Sequence, residues 1–227
     1  KGSKIFKSYT RQASNFVFPN ISKEVNGETR PRPSKYGISE IQSNKLLEDK
    51  VEEVNDTTKA YIKVLNTFLT ELETYLYKIH NEDVKNKYTI EDDINTYKMK
   101  YKFKFKEFYK NEKKKSKLFE ALYNSSCKMC AMIFYIERAN GPVLVYSNYV
   151  RVEGLEIIKI YLRLLNYTQY NNTSNSNKNT YIEYHGNIDP ETRVNNIRAY
   201  NDKKNIDGSS IKIMLLSSAG SEGISLL

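Results

Sequence analysis

The sequence is short of the residues on which small secreted domains depend. It has two cysteines, five prolines, nine glycines and no tryptophan in 227 residues. Cys127 and Cys130 cannot supply the disulfide framework that staples small extracellular folds. Nor do they complete a tetrahedral zinc site. A lone Cys-x-x-Cys needs further ligands, and the two histidines, His80 and His185, lie far off on no ligand-like spacing. The pair reads as two small apolar residues on a helix. No run approaches the roughly 18 apolar residues that a membrane-spanning helix needs. The basic start Lys1-Gly2-Ser3-Lys4 has no apolar signal stretch behind it. These features point to a protein working inside a cell, with no membrane partner.

Two chemical motifs are also missing. There is no Gly-x-x-x-x-Gly-Lys-Ser/Thr, the glycine-rich loop that cradles nucleotide phosphates. No Asp-Glu-x-His follows a strand either. The acidic run Glu91-Asp92-Asp93 lies in a polar helical stretch, where carboxylates favour the positive end of a helix.

What is present is charge and helix. Hydrophobic residues make up 39% and charged residues 28%, and the mean hydropathy is -0.66. The net charge of +9 points towards a polyanionic partner. Lys, Asn, Tyr and Ile all have AT-rich codons, however, so genome composition alone raises the lysine content.

Three parts are expected along the chain. Residues 1 to about 34 read as irregular, broken by Gly27 and Pro31-Arg32-Pro33. From about 35 to 125 the pattern is helical. Ile62, Leu65, Leu69, Leu72, Leu76 and Ile79 recur at spacings of three and four, which sets one apolar face on a long helix. In Tyr101-Lys102-Phe103-Lys104-Phe105-Lys106 the alternation fits a strand. Ile94, Tyr97, Tyr101, Phe105 and Phe108 fit a helical face equally well, and the helical neighbours favour that reading. Lys113, Lys114, Lys115 and Lys117 are either a solvated helix end or a contact to nucleic acid backbone.

From 126 onwards strands and helices alternate. Ser126 is expected to cap a helix reaching about Arg138. Val143–Tyr146 is a short apolar run, as in a strand buried on both faces. Val152–Leu165 reads as an apolar helix, Tyr181–Tyr184 as a strand, and Asp189-Pro190 as a capped helix start. Ile211–Leu216 is the last strand. This order predicts an α/β fold with a parallel sheet covered by helices. Ligands bind such sheets at the carboxyl ends of the strands. The residues there are Ser147 and Asn148, His185 and Gly186, and Ser217 to Gly223, all small, polar or glycine-rich.

Those segments carry a resemblance. Gly141–Asn148 resembles motif IV of Snf2-like superfamily-2 ATPases. His185-Gly186 with Arg193, Ile197 and Tyr200-Asn201 is similar to the glycine-and-arginine segment that follows, and Ser217–Leu226 resembles motif V. Arg11-Gln12-Ala13-Ser14-Asn15 resembles the Arg-x-x-x-Asn element before the second lobe, and Ser126 with Lys128 matches the serine-x-lysine start of its first helix. The wording of Asn15–Pro19 and Ala219–Ser225 is nearest the branch found in large DNA viruses, which includes poxvirus and giant-virus helicase-type ATPases.

The resemblance implies a RecA-like lobe with an incomplete parallel sheet and an α-helical insertion. It divides the chain into 1–34, leading into the second motor lobe; 35–125, the insertion; and 126–227, the lobe cut short after motif V. It implies part of a nucleic-acid-dependent ATPase or helicase used in viral transcription. Ser147, Asn148, Gly186, Arg193, Ser218, Ala219 and Gly220 would then face DNA or RNA. For Arg193 a surface ion pair is an equal alternative. Glu222, Gly223 and Ser225 would face the nucleotide cleft, with ATP and Mg held mainly by a first lobe not in this sequence. The arginine-bearing motif that stabilises the transferring phosphate is not here either, so this segment alone is not expected to hydrolyse ATP. The implied partners are DNA or RNA and subunits of a viral RNA polymerase or transcription factor, in the host cytoplasm or the virion. The alternatives are an inactive nucleic-acid adapter that kept the lobe, and an unrelated α/β binding domain lacking a parallel sheet across 143–217.

Overall fold

A computed structural model describes residues 15–19, 21, 31–48, 55–171 and 179–218. The chain divides into two compact units. One comprises Lys1–Ile41 with Val54–Arg138, and the other Gln42–Glu53 with Ala139–Leu227. A short helix α1, Glu40–Leu47, contributes residues to both.

The first unit is helical. Helix α2, Asp56–Lys85, starts where the Asn55 side chain accepts from Thr58 N at 2.8 Å. It buries Tyr61, Leu65, Phe68, Leu69, Leu72 and Leu76, each worth about 1.5–3 kcal/mol once removed from water. The face read from the sequence is this one, with Ile62 and Ile79 half-buried at its margin. Helix α3, Ile90–Met99, begins with the expected acidic turn, and the Asp92 carboxylate accepts from Thr89 N at 2.8 Å.

The expected helical face through Tyr101 and Phe105 needs correcting. Helix α3 stops at Met99, and Lys102 and Phe103 take left-handed φ values of 46° and 62°. Helix α4 then runs Phe105–Asn111. The segment is neither a strand nor one helix, although Ile94, Tyr97, Tyr101, Phe105 and Phe108 are all buried. The turn redirects Phe105 and Phe108 onto Phe134, with ring centroids 5.1 and 5.4 Å apart. Helical spacing identified the core residues but could not show that the backbone reverses between them.

Helix α5, Lys117–Ser125, and helix α6, Cys127–Arg138, complete this unit. Two buried carboxylates hold the start of α5. Asp83 accepts from the backbone N–H of Lys117 at 3.1 Å and of Leu118 at 2.8 Å. Asp93 accepts from Ser116 N at 2.9 Å and Ser116 Oγ at 2.6 Å. These orphan helix-end donors need partners once buried, and α2 and α3 supply them. Ser126 caps α6 as expected, accepting from Met129 N at 3.2 Å. Of the cysteines, Cys127 is exposed and Cys130 buried, both as free thiols, and burial pushes the Cys130 thiol up.

Among the described residues the second unit holds a four-stranded, all-parallel sheet: β1 Val143–Ser147, β2 Thr168–Gln169, β3 Thr180–Tyr184 and β4 Ile213–Ser217. The spatial order is β1-β4-β3-β2. The last strand therefore inserts between the first and third. Helix α7, Leu155–Leu164, connects β1 to β2, and helix α8, Pro190–Tyr200, connects β3 to β4. The expected start of α8 is in place, with Pro190 in the first turn and the Asp189 side chain accepting from Thr192 N at 2.9 Å. Ile182, Tyr200, Ile211 and Met214 form one buried cluster of this unit. A parallel sheet across 143–217 removes the reading as an unrelated fold without one.

One expectation about β1 is overturned. Only Val145 is fully buried, while Leu144 and Tyr146 are 44% and 53% exposed. An apolar run alone does not say how many faces are covered, and β1 lies at the edge of the sheet. Among the described residues, no helix is long and apolar enough to cross a membrane.

Candidate functional site at the strand ends

Strand register brings the three sequence-marked segments to one end of the sheet. Ser147 pairs in register with Ser217, and Tyr184 with Leu216. The chain therefore leaves β1, β4 and β3 at nearly one level, with β4 in the middle.

Each exit has its own local chemistry. After β1, Ser147 Oγ donates to the Tyr149 carbonyl at 2.8 Å and accepts from Tyr149 N at 3.1 Å, turning the loop. Asn148 is exposed, and its Oδ1 accepts from Tyr146 OH at 2.7 Å. Close packing follows at Gly154, where a Cβ would meet Tyr149 O at 1.9 Å. Only glycine allows this loop to return so near its own start.

After β3, Ile188 N donates to the His185 carbonyl at 3.1 Å, closing a tight turn that leaves Gly186 and Asn187 exposed. Asn196 Nδ2 donates to the Glu183 carbonyl at 3.1 Å and ties α8 to the strand end. Arg193 stands in the first part of α8, with its guanidinium 5.9 Å from the Tyr184 ring centroid. The structure thus places the Arg193 guanidinium against an aromatic ring.

After β4, Ser217 is fully buried and its Oγ has no hydrogen-bond partner. Ser218 is half-buried. Ala219, Gly220, Glu222, Gly223 and Ser225 lie outside the described residues.

Beneath the turn after β3 lies a buried charge cluster that sequence reading missed. Lys159 Nζ is 3.0 Å from Glu183 Oε2 and 3.0 Å from Glu156 Oε1. His185 Nε2 is also 3.0 Å from Glu183 Oε2. Burial pushes the Glu183 carboxyl up, but the His185 hydrogen bond and the Lys159 charge outweigh it and hold it below the usual range. For Lys159, burial pushes the ammonium down, yet Glu156 and Glu183 carry the net shift upward. A glutamate inside Thr180-Tyr181-Ile182-Glu183-Tyr184 and a lysine inside the apolar α7 are the signals that were available.

The described strand ends present hydroxyls, amides and backbone N–H groups. Such groups suit phosphate oxygens better than a divalent cation. Among the described residues, no cluster of three or more His, Cys, Asp or Glu side chains is placed to hold a metal. They do not make a magnesium site by themselves.

In the first unit, two further sequence-marked elements meet. Ser126 Oγ donates to the Asn15 carbonyl at 2.6 Å, and Lys128 Nζ lies 3.5 Å from Asn15 Oδ1. Val17 N also donates to the Ser125 carbonyl at 2.7 Å. Arg11 lies outside the described residues.

An all-parallel sheet with ligand-type residues at its carboxyl edge is an α/β domain with the architecture of a RecA-like lobe. No family model matches the chain. Comparison with known proteins is more specific. The chain is 40% identical, over its whole length, to the Acanthamoeba polyphaga mimivirus protein named "Putative ATP-dependent RNA helicase R350". It is 30% identical to nucleoside triphosphatase I of Choristoneura biennis entomopoxvirus and 28% identical to that of Heliothis armigera entomopoxvirus, over 96% of its length in both. Along its length the chain is therefore similar to one segment of helicase and nucleoside triphosphatase I proteins of large DNA viruses. It spans 28%, 26% and 25% of the lengths of these three relatives.

Proposed function

We propose that this chain is the second RecA-like lobe of a nucleic-acid-dependent ATPase acting in viral transcription. The observation that carries the reading is the register at the strand ends, where Ser147 pairs with Ser217 and β4 exits between β1 and β3. On this reading Ser147, Asn148, Gly186 and Ser218, with Ala219 and Gly220, meet the sugar-phosphate backbone. Backbone N–H groups and small polar side chains position such a strand without reading its sequence. Arg193 adds a cation beside Tyr184. Glu222, Gly223 and Ser225 face the nucleotide, and another lobe supplies the phosphate loop and the magnesium ligands. Names of the relatives as helicase and nucleoside triphosphatase support the nucleotide requirement.

The test is a substitution in the full-length protein. Gly223→Val places a branched side chain where a glycine-rich turn would approach phosphate. ATP turnover is expected to be lost while circular dichroism stays native. Unchanged turnover contradicts the assignment of this turn to the nucleotide.

A further inference from the structure

The charge of this protein is not spread along it. Residues 98–117 hold ten lysines and two glutamates, a net +8, against +9 for the whole chain. The other 207 residues are therefore nearly neutral. Codon bias would raise lysine everywhere and does not explain a concentration in one segment.

The fold divides these lysines into two sets. Lys98 pairs with Glu137 at 2.9 Å, Lys100 with Glu112 at 2.6 Å, Lys104 with Glu107 at 3.3 Å and Lys117 with Glu82 at 3.1 Å. Lys114 covers the Tyr88 ring at 3.9 Å, and Lys115 donates to the Glu112 carbonyl. Lys102, Lys106, Lys110 and Lys113 are exposed, and among the described residues none of the four pairs with a carboxylate. Helix α4 turns Phe105 and Phe108 inward, so the positions one, four and five residues after Phe105 share the outer face. These are Lys106, Tyr109 and Lys110; the helix ends at Asn111, Glu112 is extended, and the exposed Lys113 follows it. Tyr109, 40% exposed, lies flat on Tyr123 of α5 with centroids 4.1 Å apart and planes 19° apart. Lys115 Nζ also stands 5.8 Å from the Tyr109 centroid. An aromatic ring held flat at the surface among cations is what a stacked base and its phosphates need.

We infer that the outer face of α4, with Lys113 just beyond the helix, is a second nucleic-acid contact, which takes single-stranded nucleic acid with phosphates on Lys106, Lys110 and Lys113 and a base on Tyr109. This contact lies in the helical unit, and no strand-end residue takes part in it.

The experiment measures anisotropy of fluorescein-labelled oligo(dT), oligo(rU) and a duplex of equal length on the full-length protein, across a salt series. The K106Q/K110Q/K113Q variant is expected to bind at least about tenfold more weakly, with a log K against log salt slope shallower by about 2, since each single-strand phosphate contact contributes roughly 0.7. Tyr109→Ala is expected to lose roughly tenfold at an unchanged slope, and Tyr109→Phe to bind as the parent does. The two single-strand probes decide between DNA and RNA, and the losses on the α4 variants support the inference. Native circular dichroism for the lysine variant with unchanged affinity and slope overturns it, as does a duplex bound equally well with Tyr109→Ala silent. Loss of binding on Asn148→Ala alone, with the α4 variants silent, leaves the strand-end reading standing without this one.

Discussion

The hydroxyl of Ser126 donates to the main-chain carbonyl of Asn15 at 2.6 Å, joining residues 111 positions apart. The same oxygen accepts from Met129 N and so caps α6. One side chain therefore fixes both the start of a helix and the course of the segment before it. Ser126→Ala removes both bonds, and a loss of about 1–2 kcal/mol is expected in urea unfolding. Lys128→Ala, which removes an exposed contact at 3.5 Å, is expected to change stability by less than about 0.5 kcal/mol. Equal effects of the two would mean that the Ser126 contact is not the one that matters.

Asp93 gives the helical unit a pH dependence of unusual sign for a carboxylate. Burial pushes its carboxyl up to about 6, against the hydrogen bonds from Ser116. A folded-state pKa above the unfolded one stabilises most below the unfolded value, near 4, and that stabilisation is lost as pH rises through about 6. The advantage of the parent over Asp93→Asn is expected to shrink between pH 4 and 6 in thermal melts. A gap that is flat or grows over that range contradicts the assignment.

The Lys159–Glu183 pair is expected to be costly to break from one side. Lys159→Met leaves a buried carboxylate with His185 as its remaining close partner, at a cost of about 3–5 kcal/mol. Lys159→Met with Glu183→Gln should recover a large part of that loss. A double variant no more stable than Lys159→Met alone would show that Lys159 acts by packing and not by charge.

Gly154 is expected to tolerate no side chain. A Cβ would stand 1.9 Å from Tyr149 O and 2.3 Å from Tyr149 C, both backbone atoms. Gly154→Ala must move the loop after β1, and a loss of at least about 2 kcal/mol is expected on thermal unfolding. An unchanged melting temperature would mean that the loop has another conformation of equal energy.

Much of this architecture is legible in the residues. Val143–Tyr146, Tyr181–Tyr184 and the end of Ile211–Leu216 are strands because short apolar runs between turn residues have little else to become. Asp189-Pro190 and Ser126 start helices for reasons of local hydrogen bonding. What sequence could not show depends on contacts between distant residues. The exposure of Leu144 and Tyr146 follows from β1 standing at the sheet edge. The left-handed turn at Lys102 and Phe103 is imposed by the aromatic cluster around Phe134, not by local preference. Asp83 and Asp93 look like surface acids until α5 sets its first N–H groups against them. At the strand ends, Ser147, Asn148 and Gly186 stand out because small polar residues follow apolar runs. Lys159 and Glu183 do not, since each gains its role only from the other.

The most direct test of the central claim is ATP hydrolysis by the full-length protein, measured alone and with single-stranded or duplex DNA and RNA. The account expects hydrolysis that rises on adding nucleic acid, with the most effective strand identifying the substrate. No hydrolysis under any of these conditions would contradict it and leave the lobe as a nucleic-acid adapter without a motor.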